Sequence, residues 1–218
     1  ARSSKATPTR LPGTIEETAQ QVQALGRRAV AVRCDISHEE QVEALLKRTL
    51  AEFGRIDILI NNAAVNYSAP FAATPMKRWD LVLNVNLRGT VLCTKAYLPK
   101  MLMQRSGRII NVSSGAATDA QATVDFGVLA YSVSKAAVET FTQGLALELR
   151  PHAIAVNCLR IEMGIASEGP VSLNPDIDYS TWEKPRAAAE ALLWLAARER
   201  SYTGHVATIA AVRQATRG

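Results

Sequence analysis

The sequence predicts an α/β protein in which one doubly wound domain has a parallel sheet with helices on both faces. Short apolar segments alternate along the chain with longer segments whose apolar residues recur at helical spacing, a pattern typical of parallel strands joined by right-handed crossovers. The 218 residues are 48% hydrophobic and 21% charged, as expected for a globular rather than a disordered chain. We therefore expect residues 1–218 to form a single domain.

The first part of the chain predicts helix, strand, helix and strand in that order. Thr14 and Glu17 have the spacing of a capping box, so a helix should begin after Thr14 and end near residue 25. Residues 29–33 form a short β-branched run that predicts a strand, and a second capping box at residues 37–40 predicts another helix. Residues 57–60 are almost wholly apolar, which indicates a strand covered on both faces.

The rest of the chain continues this alternation. It predicts helices over residues 75–83 and 87–104, a strand over 108–112, a long helix containing Tyr131, and strands over 154–159 and 205–209. In such sheets, ligands bind beyond the carboxyl ends of the strands. Asp35, Asn62, Ser114 and the segment after Leu159 follow predicted strands, so we expect them to form one site.

Tyr131 and Lys135 are the candidate centre of that site. Apolar residues recur at helical spacing after them, which places the two side chains one turn apart on the same face of a helix. Free tyrosine, with a pKa near ~10, exchanges protons poorly at neutral pH. We expect the Lys135 ammonium to lower the pKa of Tyr131 and so to suit it to proton transfer with an alcohol or carbonyl. The pair alone is also compatible with a solvated helix face.

Composition excludes several other classes of protein. The net charge is +5, but Lys and Arg are scattered and no basic run of the nucleic-acid-binding type is present. Cys34, Cys93 and Cys158 are far apart, which indicates reduced, buried thiols in the cytoplasm rather than a metal site or disulfides. No apolar run reaches membrane-spanning length. We expect no metal, no nucleic acid and no membrane partner.

Several motifs, in order, resemble those of the short-chain dehydrogenase/reductase family. They are the Asn-Asn-Ala-Ala run at residues 61–64, the helical asparagine motif at 84–89, the serine strand at 109–114, the Tyr-Lys signature at 131–135 and the Thr-Gly turn at 201–204. The match spans nearly the whole chain and implies a Rossmann-type fold. Residues 1–5 and 11–15 look most like the hydroxysteroid dehydrogenase-like subgroup.

The resemblance implies a role for four residues. Tyr131 would be the general acid in reduction or the base in oxidation, and Lys135 would bind the nicotinamide ribose. Ser114 would hold and polarise the substrate oxygen, with Ser113 as the alternative. Asn86 would keep the helix open around a water that relays protons to Lys135; Asn84 is its alternative, and a helix-breaking cap is the plain structural role.

The resemblance also implies a dinucleotide site. Asp35 with Ile36 would contact the adenine, although Asp35 could instead be a turn residue. The cofactor would be lined near its ribose by Asn62, Ala63 and Ala64. Arg2 and Ser3 follow the position of the second strand, where an arginine suits a 2′-phosphate and an acid suits a free ribose. We therefore expect NADP(H) rather than NAD(H), while Arg2 could also be merely solvated.

Two departures from the family pattern affect these expectations. The first strand and Gly-rich phosphate loop of the family would precede residue 1, so we expect the sequence to be incomplete at its N-terminus. The Pro-Gly pair that usually follows the sixth strand is replaced here by residues 160–163, so another backbone path is expected. Arg160 and Glu162 could line the site, but a surface ion pair is favoured. Residues 164–178 are expected to form a substrate lid.

The sequence thus predicts an oxidoreductase that moves a hydride between NADP(H) and a carbonyl or secondary alcohol. The alternative is a non-catalytic relative that binds nucleotides or acts as an interaction protein, favoured by the missing phosphate loop and Pro-Gly pair. The resemblance further implies a homodimer or homotetramer assembled through two long helices, at residues 87–104 and 131–149.

Overall fold

Four parallel strands form the sheet of the computed structural model, which describes residues 13–167, 176 and 178–217. In chain order they are β1 (Ile58–Asn61), β2 (Gly107–Ser114), β3 (Ile154–Ile161) and β4 (Val206–Thr208). Each strand pairs with the next in sequence, in the order β1-β2-β3-β4. The parallel sheet expected from the sequence is confirmed.

Helices connect the strands. They are α1 (Ile15–Ala24), α2 (Glu39–Phe53), α3 (Met76–Leu83), α4 (Gly89–Gln104), α5 (Ala120–Asp125), α6 (Leu129–Leu149), α7 (Pro185–Ala197) and α8 (Ile209–Arg217). A π-helical turn, Asn84–Arg88, joins α3 to α4 without a break. In the described part of the chain no helix is both long and apolar enough to cross a membrane.

Two apolar cores lie on opposite faces of the sheet. On one face, Ile109 and Val156 of the strands pack against α4 and α6 through residues such as Met101 and Leu149. On the other face, Ile110 and Leu159 pack against α7 and α8. Side chains alternate between the faces along each strand, so neighbouring residues of β2 enter different cores. This is the doubly wound arrangement.

The two predicted capping boxes have different outcomes. Thr14 and Glu17 form the reciprocal bonds of a capping box at the start of α1, each 3.1 Å long. The second box is wrong, because Ser37 binds the carboxylate of Asp35 instead. His38 therefore precedes α2 without a side-chain cap.

The strand expected at residues 29–33 is also absent. These residues are described and have no regular secondary structure. A β-branched sequence becomes a strand only where a neighbouring strand supplies hydrogen bonds, and none of the four described strands lies beside it.

Strand β1 is covered on one face only, contrary to expectation. Leu59 packs into the core shared with α4, whereas Ile58 and Ile60 are 42% and 43% exposed. Helices α7 and α8 cover β2, β3 and β4 on that second face but contribute no residue packed against β1. The apolar composition of a strand therefore did not reveal that one face is open.

Near the C-terminus, two helices were not predicted and one strand is shorter than expected. Helix α7 begins at Pro185, and β4 ends at Thr208 because Ile209 begins α8. The Thr-Gly turn docks on β3, where Thr203 accepts a hydrogen bond from the Val156 amide at 3.0 Å.

Candidate active site

Tyr131 and Lys135 lie one turn apart near the start of α6, as the spacing predicted. The Lys135 Nζ atom is 5.5 Å from the centre of the Tyr131 ring. The Lys135 side chain is 3% exposed, and its Nζ donates a hydrogen bond to the Val112 carbonyl of β2 at 2.7 Å. This bond orients the ammonium at the carboxyl end of the sheet.

The expected lowering of the Tyr131 pKa is wrong for this structure. Burial of the phenol raises its pKa, and this effect outweighs the lowering by a hydrogen bond with Ser114. Burial has the opposite effect on the lysine and lowers the pKa of Lys135 to about 8. Tyr131 is therefore a neutral phenol at neutral pH and can donate a proton.

The two serines at the end of β2 have different surroundings. The Ser114 side chain lies close enough to the Tyr131 hydroxyl to lower its pKa, and the Ser114 Oγ accepts a hydrogen bond from the Ala116 amide at 3.3 Å. Ser113 is 2% exposed and donates to the Lys135 carbonyl at 3.4 Å, beneath α6. The structure thus brings Ser114, rather than Ser113, to the Tyr131 hydroxyl.

Asn86 lies in the π-helical turn and is 1% exposed. Its side chain forms two bonds with the backbone of Val65, accepting from the amide at 2.8 Å and donating to the carbonyl at 3.0 Å. It also donates to Ser134 Oγ at 3.0 Å. Asn84, its alternative, is exposed. Asn86 therefore ties the loop after β1 to the helix that carries Tyr131 and Lys135.

Ser134 is a residue that the sequence reasoning missed. It is fully buried, accepts the bond from Asn86 and donates to the Tyr131 carbonyl at 2.7 Å. A hydroxyl residue directly before Lys135 was the only signal in the sequence, and such a residue in a helix more often bonds only its own backbone.

The expected dinucleotide residues lie in part around a small cavity. Ile36, Asn62 and Ala63 line a cavity of about 120 Å³ beside β1. Ala64 is exposed next to it. The Asp35 carboxylate accepts from the Ser37 amide and hydroxyl at 3.2 and 2.7 Å, which is the turn role considered as its alternative. Arg2 and Ser3 lie outside the described residues.

Arg160 and Glu162, near the end of β3, each bind another element of the fold. Arg160 and Glu162 do not pair with each other: Arg160 binds Glu139 of α6, and Glu162 accepts from the Ile209 and Ala210 amides at the start of α8. The expected Arg160–Glu162 ion pair is therefore wrong.

Glu162 also lies against the end of β2. A Cβ atom on Gly115 would approach the Glu162 Cα to 3.1 Å, so the backbone next to Ser114 fits closely against this segment. Most of the expected lid, residues 164–178, lies outside the described residues.

Comparison with known proteins gives a consistent picture. A family model described as short chain dehydrogenase matches residues 6–166. The chain is 37% identical over 145 residues to the BbsD subunit of a hydroxy(phenyl)methylsuccinyl-CoA dehydrogenase from Thauera aromatica, covering 66% of this chain and 56% of that protein. It is 34% identical over 178 residues to a 3-oxoacyl-(acyl-carrier-protein) reductase from Synechocystis, covering 79% and 70%.

The relatives include a human protein of the hydroxysteroid dehydrogenase-like subgroup. Hydroxysteroid dehydrogenase-like protein 2 from Homo sapiens is 32% identical over 193 residues, covering 82% of this chain and 45% of that protein. The chain thus spans between about half and 70% of the length of these three relatives.

Solved structures share the fold. A protein from Xanthomonas campestris assigned as a dehydrogenase superposes with a TM-score of 0.86 at 33% identity, covering 99% of this chain and 79% of that one. A gluconate 5-dehydrogenase from Burkholderia cenocepacia in complex with NADP and tartrate gives 0.78 at 25% identity, covering 88% and 78%. An NAD+-bound xylitol dehydrogenase gives 0.78 at 24% identity, covering 89% and 83%, and shows the fold alone.

Proposed function

Because the chain belongs to the short chain dehydrogenase family, we propose that it is an oxidoreductase that transfers a hydride between NADP(H) and a carbonyl or secondary alcohol. The observation that carries this proposal is the contact between the Ser114 and Tyr131 side chains beside the buried Lys135 amine. These three groups can hold a substrate oxygen, exchange a proton with it and stabilise the charge that remains.

Each side chain has a distinct part in the proposed reduction. Ser114 hydrogen-bonds the carbonyl oxygen, and the Tyr131 hydroxyl donates its proton to that oxygen. The resulting phenolate is stabilised by the Lys135 ammonium, 5.5 Å from the ring. The nicotinamide supplies the hydride when it is bound. Burial keeps Tyr131 protonated at rest, which supports its role as the general acid.

The residues beside β1 fit a dinucleotide. Ala63 and Ala64 have small side chains that permit close approach to the backbone, and Ile36 offers an apolar surface to a base. We propose NADP(H) as the cofactor on the basis of Arg2 in the sequence. Lys135 would bind the ribose, and Asn86 would hold the loop beneath it.

The assembly and the compartment are parts of the same proposal. Met103 of α4 and Leu147 of α6 are 78% and 65% exposed, which supports pairing of subunits through these two helices as a dimer or tetramer. Cys34, Cys93 and Cys158 form no disulfide with one another, which supports a reducing, cytoplasmic location.

Replacement of Tyr131 by Phe tests the activity. Removing the proton donor should lower turnover of a reducible ketone or aldehyde by about 10²- to 10⁴-fold, because general acid catalysis contributes that much. Turnover is measured as loss of NADPH absorbance across a panel of carbonyl compounds, and NADPH binding by the variant should persist.

Tyr202→Phe is the matched control, because Tyr202 packs against Trp194 of α7 and touches none of the candidate active-site residues. It should keep wild-type turnover. A wild-type protein that binds NADPH but turns over no carbonyl compound, with Tyr131→Phe behaving identically, would instead support the non-catalytic alternative.

A further inference from the structure

A buried acidic side chain lies one helical turn beyond Lys135, the proposed catalytic lysine. Glu139 follows Lys135 by four residues on α6, the spacing at which side chains meet on a helix surface. Glu139 is 8% exposed, so its carboxylate requires a partner. Lys135, which is also buried, is the nearest cation along the helix. An ion pair between the two is what the helix alone would favour.

The structure has a different pairing. Arg160 of β3 binds the Glu139 carboxylate with two hydrogen bonds, Nε to Oε1 at 2.9 Å and one terminal nitrogen to Oε2 at 2.5 Å. This bidentate geometry is the strongest form of an ion pair between side chains. Lys135 is left to donate to the Val112 carbonyl, and it has no acidic partner among the described residues.

The four groups form one compact cluster. Cys158 is fully buried on β3, and its thiol lies within electrostatic range of Lys135, Glu139 and Arg160. Tyr131 is the other titratable group at Lys135, on the same helix. The adjoining strand β2 presents the Val112 carbonyl and the Ser113 hydroxyl, neither of which is charged. The net charge near Lys135 therefore depends on whether Glu139 is neutralised.

We infer that Arg160 is a positioning residue: by holding the Glu139 carboxylate, it prevents Glu139 from pairing with Lys135 and leaves the lysine free for the reaction. This role rests on the proposed function. Glu162 lies close enough to Arg160 to act on its charge, but its carboxylate is bound to the amides of α8.

Replacement of Arg160 by Met tests this inference. The freed Glu139 carboxylate should pair with Lys135 and raise the pKa of the lysine by about one unit or more, since an opposite charge within a few ångströms has that effect. The carbon-ε resonance of Lys135, identified by its loss in Lys135→Met, reports that pKa directly by NMR. Activity should decrease, and the midpoint of the pH–rate profile should move because Lys135 no longer offers a free positive charge to Tyr131.

Three further variants distinguish this role from a purely structural one. Arg160→Lys keeps the charge and should keep the wild-type midpoint. The double variant Glu139→Gln/Arg160→Met removes both charges and should restore the wild-type lysine pKa. Arg160→Ala, which also removes both hydrogen bonds to Glu139 but with a smaller side chain, tests the same shift if Arg160→Met does not fold, and its midpoint should move in the same direction.

The outcomes separate this inference from the proposed function. An unchanged lysine pKa in the folded Arg160→Met or Arg160→Ala protein overturns the inference, as does a double variant whose shift persists. Lack of turnover in the wild-type protein overturns the proposed function, while the NMR titration still decides whether Arg160 separates Glu139 from Lys135.

Discussion

Lys135 is an ionisable residue buried in the interior of the protein. Its amine is 3% exposed and has a backbone carbonyl, rather than a carboxylate, as its partner. Burial without a counter-charge disfavours the ammonium, which accounts for the lowered pKa of about 8. The same burial raises the pKa of Tyr131. Both shifts favour the neutral forms and move the two pKa values apart, because burial disfavours charge on either side chain.

This environment makes a prediction about stability. Lys135→Met should be more stable than the wild type at pH 7, by about 2–3 kcal/mol, because a pKa shift of one unit corresponds to about 1.4 kcal/mol. The folded protein loses the Lys135 proton near pH 8, whereas the unfolded chain keeps it to about pH 10.4. Between these two pH values the unfolded state thus binds more protons than the folded state. The destabilisation that comes from burying the Lys135 ammonium therefore disappears as the pH rises.

Urea unfolding of the two proteins between pH 7 and pH 10.5 measures the difference, which should shrink with rising pH. The comparison cancels the ionisation of Cys93, whose raised pKa lowers the stability of both proteins at high pH. A difference that is constant across the range would contradict the lowered lysine pKa.

At the scale of elements, the π-helical turn between α3 and α4 is the feature that connects the two halves of the site. The wider turn, Asn84–Arg88, holds the Asn86 side chain at Val65, in the loop after β1, and at Ser134, in α6. π-helical turns of this kind occur often at functional sites. Three elements that are distant in sequence are therefore joined by one amide side chain.

Asn86→Ala should remove all three of these bonds. The Val65 amide and carbonyl and the Ser134 hydroxyl would lose a partner, which should lower the free energy of unfolding by about 3 kcal/mol, at the 1–3 kcal/mol expected for each unsatisfied buried group after some relaxation. Urea unfolding measures the change.

Asn84→Ala is the matched control, since Asn84 is exposed in the same turn. Its effect should lie within about 0.5 kcal/mol of zero, as for most surface substitutions. An equal decrease in the free energy of unfolding in the two variants would mean that the stabilisation comes from the turn itself rather than from the Asn86 side chain.

At the scale of the whole molecule, the candidate site lies at the carboxyl-terminal end of the sheet. The carboxyl ends of β1, β2 and β3 carry Asn62, Ser114 and the segment after Ile161, and α6 crosses beside them with Tyr131 and Lys135. A doubly wound sheet places ligands at these ends. The residues proposed to bind the cofactor and those proposed to transfer the proton therefore lie at the same end of the sheet.

Titration with reduced nicotinamides tests this arrangement in the whole protein. Intrinsic fluorescence should change saturably with NADPH and more weakly with NADH, because an arginine at position 2 suits a 2′-phosphate. Arg2→Ala should weaken NADPH binding and leave NADH binding unchanged. Tighter binding of NADH would make the Arg2 interpretation wrong, and binding of neither nucleotide would contradict the proposed oxidoreductase.

The sequence by itself determined those features that depend on near neighbours. The spacing of Tyr131 and Lys135 on one helical face, the capping box of α1 and the alternation of strands and helices follow from residues a few positions apart. The order of the motifs also identified the family, which the comparisons confirm.

Only the tertiary structure decided what depends on distant segments. The raised pKa of Tyr131, the open face of β1, the missing strand at residues 29–33 and the pairing of Arg160 with Glu139 rather than Glu162 each depend on which segments pack together. Burial and strand pairing are long-range properties, because the groups that desolvate or bind a residue come from elsewhere in the chain. Sequence spacing therefore found the reactive groups, and the packing around them set their charge and their partners.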